Sequence, residues 1–398
     1  MSIILAMTVV QKASVSNSAC LLPSGSLHFQ LPANSPARVL HQVRTLKSPT
    51  RGMLRKTLGM SQPSVTRHVR ALIDSGLVEE REVTHDGERV GRPHATLGLD
   101  GRHMVTWGIH VGVRTTVLTI NDGAGRLIRE HELNIPVALT PMAEVLDHIA
   151  HHLREMGEGL PAPVSVGAAV SAHIDRNGIV TSPEYNWDEV DIAAELSYRL
   201  GHPVHVGSGA AAMAAQELLS APLNGEDPGS TLYFYAREVV NHAWIVNGAV
   251  HRPHSGTTTT AFHDLARGTG LEHEEVHPLS GLATVAAAQR AGIKGHSYRD
   301  LVHVSKTNPA ARRFIDARNE LLVDALTLVL DIVDPAALVL AGEAFVIDRV
   351  GLRNIVSQVR ARRATSQLRI SLAGPAVTRD AARLTGVYPL WADPLGND

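Results

Sequence analysis

The chain has a single cysteine, Cys20, in 398 residues. One thiol can neither close an internal disulfide nor build a thiolate metal cluster, so disulfide-stapled secreted folds and multi-cysteine metal folds are excluded. A reducing cytoplasm is the expected compartment. Aromatic residues are scarce at 4%, so the cores must rest on Ala, Val, Leu and Ile. No apolar run approaches the roughly eighteen residues that span a bilayer, which excludes a membrane-spanning role and any membrane partner. The apolar start, 1–10, is short and lacks the positive n-region of a signal peptide. Neither sign of charge dominates, with 37 Lys and Arg against 39 Asp and Glu and a net charge of -2. That excludes a wholly basic nucleic-acid coat protein but not a basic segment balanced by an acidic one.

Such a segment exists. Between residues 38 and 73 lie eight Lys or Arg and no Asp or Glu, and over 37–94 eleven basic residues face six acidic ones. That stretch therefore carries +5 and the remainder -7. Residues 1–36 show no sustained period, and the expectation is a flexible arm without assigned function. Three short helices are then predicted, marked by Val39, Leu40, Val43 and Leu46, by Met53, Leu54 and Leu58, and by Val65, Val69, Leu72 and Ile73. Gly59, Met60 and Ser61 form a tight turn between the second and third, with Gly as helix stop and Ser as the next N-cap, the helix-turn-helix arrangement. Burying Val65, Val69 and Leu72 turns Thr66, Arg67 and Arg70 outward, with Ser61, Gln62 and Ser64 near the first turn and Arg51 at the start of the second helix. Residues 77–83 and 95–99 read as two strands of a wing, followed after the turn by Arg89 and Arg92 in a slim Gly- and Pro-bearing stretch suited to a minor groove. Double-stranded DNA is the expected partner, read by Arg51, Ser61, Gln62, Ser64, Thr66, Arg67, Arg70, Arg89 and Arg92. A protein-docking module acting on another regulator is the alternative use of the same basic surface.

From residue 101 strands alternate with helices, which predicts an α/β body: strands at 104–112, 113–120 and 126–133, helices at 141–157, 189–200 and 210–219, and strands at 164–170 and 203–206. A second lobe is predicted from strands at 231–236 and 243–250, a long helix at 309–332 and a buried strand at 337–341. In that long helix Leu321, Leu322, Ala325, Leu328 and Ile332 form one apolar stripe, read as lobe core or as an oligomer seam. The organisation expected is thus an arm at 1–36, a winged helix-turn-helix at 37–100 and a two-lobed body at 101–398.

The order and spacing of the phrases at 107–112 (WGIHVG), 191–206 (DIAAELSYRLGHPVHV), 247–250 (NGAV), 334–342 (DPAALVLAG) and 380–386 (DAARLTG) resemble those of the ROK family of repressors, open reading frames and sugar kinases. The resemblance covers about residues 37–395. It implies an actin- and hexokinase-like, ribonuclease H-like pair of lobes around a cleft, preceded in the repressor branch by a winged helix. It also implies which residues kinase chemistry would need. The family's nucleotide-phrase Asp falls at His110, its general base falls at Gly209 in the triplet Gly207-Ser208-Gly209, and its second phosphate loop falls at 237–243 (REVVNHA), which is bulky and poor in Gly. Its zinc pattern of one His and three Cys matches only at His263, with His273 and His277 as substitute imidazoles. No catalysis, cofactor or metal is therefore expected. Ser208 and His263 remain as candidate ligand contacts, and His110 reads as a satisfied core histidine or a pH-sensing group. The resulting expectation is a DNA-binding regulator, a repressor by resemblance, that acts in the cytoplasm at the nucleoid as a homodimer or higher oligomer with a small-molecule effector of undetermined class. An active sugar kinase carrying a DNA-binding arm is the other alternative.

Overall fold

The computed structural model describes residues 25–81, 95–172, 174–175, 177–224, 229–254, 260–273, 276–363 and 367–396. The chain opens with strand β1 (Gly25–Ser26) and three helices, α1 (Ser35–Thr45), α2 (Arg51–Leu58) and α3 (Gln62–Asp74). Strands β2 (Val78–Arg81) and β3 (Thr96–Leu99) pair antiparallel as the base of a wing. Each helix start carries its sequence signal. The Asn34, Thr50 and Ser61 side chains accept hydrogen bonds from the backbone N–H groups of Ala37, Met53 and Ser64. Gly59 ends α2 in the left-handed conformation at φ 64°, where its lack of a Cβ allows the tight turn into α3. Val39, Leu40, Leu54, Leu58, Val65, Val69, Leu72 and Leu97 close over one small core.

The first lobe is built on β4 (Val105–Val111), β5 (Thr115–Asp122) and β6 (Leu127–Asn134), then α4 (Met142–Gly157), β7 (Ser165–Val170), a hairpin of β8 (Ile179–Ser182) and β9 (Trp187–Asp191), α5 (Ile192–Leu200), β10 (Val204–Ser208) and α6 (Gly209–Leu218). Its sheet runs β1-β10-β7-β4-β5-β6, parallel from β1 to β4 and antiparallel beyond. Helices α4 and α5 cover one face through Val145, Ile149, Leu153, Ile192 and Leu196.

The second lobe contains β11 (Thr231–Ala236), β12 (Val240–Val246), β13 (Ala249–Val250), α7 (Thr260–Leu265), α8 (Gly281–Arg290), α9 (Tyr298–Val304), α10 (Pro309–Val333), β14 (Ala337–Ala341), α11 (Glu343–Val346), α12 (Arg349–Arg362) and β15 (Arg369–Leu372). Its sheet runs β13-β12-β11-β14-β15. The final helix, α13 (Val377–Ala392), returns to the first lobe and lies on the other face of its sheet. It lies unusually close. A Cβ on Gly108 would overlap the Ala382 carbonyl, one on Gly167 would overlap the Thr385 carbonyl, and one on Gly386 would come within 2.6 Å of the Trp107 carbonyl oxygen.

Several expectations are corrected. Residues 25–34, predicted as part of a flexible arm, are a strap. β1 pairs with β10, Phe29 is buried against Tyr388 at 4.9 Å between ring centroids, and Leu31 donates its N–H to the Gly248 carbonyl. The helix predicted from 189 begins at Ile192, because Asp191 ends β9 and caps α5 by accepting from Ala194 N–H. The strand predicted from 243 begins at Val240, and the Asn247-Gly248 turn, both residues at positive φ, separates it from β13. In α10 the predicted stripe divides. Leu321, Leu322 and Ala325 are buried in the lobe core, whereas Leu328 and Ile332 are 36% and 75% exposed.

The contacts of α13 generate a prediction. Gly167→Ala or Gly108→Ala should lower stability by about 1–3 kcal/mol or more, because each forces two backbones apart. Gly374→Ala, which meets nothing within 4 Å, is the control. Urea unfolding of the three variants compares them, and equal midpoints would refute the close-packing account.

Candidate functional site

Two places concentrate polar side chains, the outer face of α3 and the cleft between the lobes. On the first, Ser61, Gln62, Thr66, Arg67 and Arg70 are exposed and Ser64 is half-buried, so the helical period brings the predicted DNA-reading residues to one face. Ser61 also spends its hydroxyl capping α3, with Ser64 N–H as the donor. Arg67 has no carboxylate partner among the described residues, and Arg70 lies 3.9 Å from Asp74 in an exposed pair worth little in water. Arg51 departs from expectation. It is half-buried and ion-paired with Glu80 on β2, so it ties the start of α2 to the wing. Arg89 and Arg92 lie outside the described residues. Arg55, Lys56 and Thr57, on the last turns of α2, are also exposed and were not singled out from the sequence, although the acid-free run contained them.

This unit is fastened to the body by polar contacts that the apolar stripe of α1 did not announce. The His41 ring nitrogen Nε2 lies 2.8 Å from the Ala221 carbonyl oxygen. The Gln42 amide donates to the Leu223 carbonyl at 2.6 Å and accepts from Leu223 N–H at 3.1 Å. The Arg44 guanidinium stacks over Trp391 at 3.5 Å from the ring centroid. The strap completes the joint. Tyr388 donates its hydroxyl to the His28 carbonyl and accepts from Gln30 N–H. The alternation of Leu27, Phe29 and Leu31 was the signal for this segment, and it is too short to stand out as a period.

In the cleft, His110 on β4 is 1% exposed, with Nε2 3.1 Å from Ser171 Oγ and Nδ1 without a partner. Burial, helped by the positive charge of Arg237, pulls its pKa down to about 4, so it sits neutral. Gly209 lies directly against it. A Cβ there would be 3.0 Å from Ser171 Oγ and 3.2 Å from His110 Nε2. Gly207 faces Leu27 and Phe29 of the strap, and Ser208 uses its hydroxyl to cap α6 by accepting from Ala211 N–H. The three triplet positions are thus occupied by packing and capping. Residues 237–239 turn tightly into β12, with Arg237 3.0 Å from Glu238. The open part of the cleft, about 280 Å³, is lined by groups of both charges, among them Glu132, Arg237, Arg299 and Glu343, beside Tyr235. His263 on α7 and His277 have ring centroids 4.6 Å apart, His273 is half-buried on the adjoining loop, and no group of three or more His, Cys, Asp or Glu suited to a metal occurs among the described residues. Likewise, no described helix is long and apolar enough to cross a membrane.

The comparisons divide along the same line. The sequence model of the ROK family matches residues 106–393, and that of the MarR family matches residues 30–87. A protein of Mycobacterium tuberculosis named a transcriptional regulator is 30% identical over 393 residues, covering 93% of this chain and 88% of its own. A protein of Bacillus spizizenii named a xylose repressor is 23% identical over 329 residues, covering 79% and 83%. Among solved structures, a ROK family transcriptional regulator described as a homologue of the Escherichia coli MLC protein superposes with a TM-score of 0.69 at 19% identity, covering 91% of this chain and 96% of that one.

The buried imidazoles set a pH dependence. His110 and His41 both have folded pKa values near 4 against 6.5 for the free side chain, in each case chiefly through burial. The unfolded chain therefore takes up the extra protons as pH falls from 6.5 toward 4, and stability present above that window is lost within it. The expected loss between pH 7 and pH 5 is about 2 kcal/mol per histidine, read from urea unfolding. A stability flat across that range would mean that the two rings titrate normally.

Proposed function

The chain belongs to the ROK family, and on that premise we infer that it is a DNA-binding transcriptional regulator whose winged helix reads DNA and whose two-lobed body controls the reading. One observation carries this. The exposed face of α3, with Gln62, Thr66, Arg67 and Arg70, belongs to a segment with no acidic residue before Asp74, and that segment is fixed to the body through α1 rather than tethered loosely. Side chains of these types contact phosphates and base edges in a major groove. We assign direct DNA contact to Ser61, Gln62, Ser64, Thr66, Arg67 and Arg70, with Arg89 and Arg92 on the wing, and a bracing role to Arg51. The MarR match at 30–87 supports the DNA-binding reading, and the relative named a xylose repressor supports repression as the direction of control.

We further propose that the body has no kinase activity. The position of the family's base is closed by a contact between Gly209 and His110, and the phosphate-loop positions carry side chains such as Arg237 and Glu238 that pair with each other. A homodimer would place two copies of α3 about one helical turn, or about 34 Å, apart on DNA and favour an inverted-repeat operator. The strap gives the body a mechanical route to that spacing. It is hydrogen-bonded to β10 in the first lobe, to the 248–250 turn in the second, and continues into α1. A change in the angle between the lobes would therefore move the strap and the helix it leads into.

Selection of genomic fragments followed by gel-shift titration tests the reading. The expected outcome is a specific site whose affinity falls by about 1–3 kcal/mol in Arg67→Ala or Arg70→Ala where the contact is to a base, or whose salt slope drops by about one where it is to phosphate. Absence of any specific site at every salt concentration would refute DNA reading. ATP-dependent phosphorylation of glucose or xylose that is lost on substituting Arg237 would refute catalytic silence.

A further inference from the structure

A cavity of about 120 Å³ lies where residues 30–34, α1 and α13 meet. Its walls include the apolar side chains of Leu40, Leu219 and Trp391, the polar Asn34 and Tyr388, and the cation of Arg44. None of its lining residues is acidic. The contacts of Arg44 are weak ones. Its N–H groups reach the Leu219 carbonyl and His41 Nδ1 at 3.4 Å each, the long end of hydrogen bonding, and no carboxylate pairs with it among the described residues. Arg383 adds to the imbalance. Burial first, and repulsion from the Arg383 guanidinium second, pull Arg44 down to about 9, while the acid nearby, Asp380, lies 3.8 Å from Arg383.

Buried or half-buried cations in proteins are ordinarily paired, because an uncompensated charge loses more hydration than its surroundings return. Here no carboxylate among the described residues pairs with Arg44, and the pocket beside it could admit one. The shape of the room narrows its class. A guanidinium offers two parallel N–H groups that match a planar carboxylate, and Arg44 is the one cation among the lining residues, Arg383 lying outside them beside Asp380, so a monoanion is better matched than a phosphate dianion. At about 120 Å³ the room is close in size to a cavity that holds benzene, so it takes a body of about four to six carbons whose apolar side can lie on Leu40, Leu219 and Trp391. We propose that the joint between the DNA reader and the body is a binding site for a small monocarboxylate, its carboxylate on Arg44 and its body against Leu40, Leu219 and Trp391, and that occupancy shifts the seating of α1. The site itself is independent of what the winged helix does. Its regulatory consequence rests on the DNA-binding reading above. Because the walls come from the strap, from α1 and from α13, a ligand that favours one seating of α1 changes DNA affinity by its difference in affinity for the two seatings.

Calorimetric titration of the full chain with sodium hexanoate, hexanamide and inorganic phosphate tests the site. The expected result is saturable hexanoate binding, no binding of the neutral amide, and phosphate that does not compete. Arg44→Gln should weaken hexanoate at least tenfold and Arg44→Lys should restore part of it. Should Arg44→Gln fail to fold, Ala33→Phe serves instead, since it adds bulk from an exposed lining position and should weaken hexanoate tenfold with an unchanged unfolding midpoint. No saturable hexanoate binding, equal binding of hexanamide, displacement by equimolar phosphate, or undiminished binding in the folded variants would each overturn the assignment. Gel shifts with and without hexanoate then read the coupling. A change in operator affinity in the wild type but not in Arg44→Gln supports it, and calorimetric binding with an unmoved operator affinity overturns it. Failure to find any specific DNA site removes the regulator reading and leaves the calorimetric result standing.

Discussion

The architecture depends on how closely α13 lies on the first sheet. Gly108 on β4, Gly167 on β7 and Gly386 on the helix let backbone touch backbone where any side chain would collide with a carbonyl. Helices normally stand off a sheet by the thickness of their side chains, so this seam fixes both the depth and the direction of α13. The far end of the helix is then held in place, and that end carries Tyr388 and Trp391. Tyr388 secures the strap and Trp391 receives Arg44. Three glycines thereby bear on where α1 and the strap sit, although none of them is near either in sequence.

The cleft shows a second constraint of the same steric kind. His110 on β4 and Gly209 at the start of α6 lie against each other in the cleft, so the side chains that the two positions can carry are interdependent. With an imidazole at 110 and Ser171 beside it, even a Cβ at 209 would be in tight contact with both, so a side chain there requires the ring or the serine to shift. The ring is neutral because desolvation outweighs every favourable interaction it makes. A group that could have served as an acid or base is thus held as an uncharged piece of the core.

Much of this was legible in the sequence. The winged helix announced itself through the Gly59 stop, the Ser61 cap and the acid-free run, all local signals, whereas the cap at Thr50 came from the structure. The alternating strands and helices of the body followed from periodicity. What escaped was non-local. The strap carries three alternating apolar residues, too few for a period, and its partners lie some 180 to 360 residues away. His41, Gln42 and Arg44 looked like the polar face of an amphipathic helix, because nothing in α1 itself reveals that the 219–223 turn and Trp391 will cover them. The pairing of Arg51 with Glu80 was hidden for the same reason, since a basic residue at a helix start reads as available until its neighbour on the next element is known.

The joint also has a consequence in time. The winged helix precedes its seat, α13, by about 300 residues of chain, so it is synthesised well before the helix that holds it. Contacts separated by more than 350 residues close a very long loop and are the slowest to form. The winged helix is therefore translated before its seat and can be berthed only after α13 has been made.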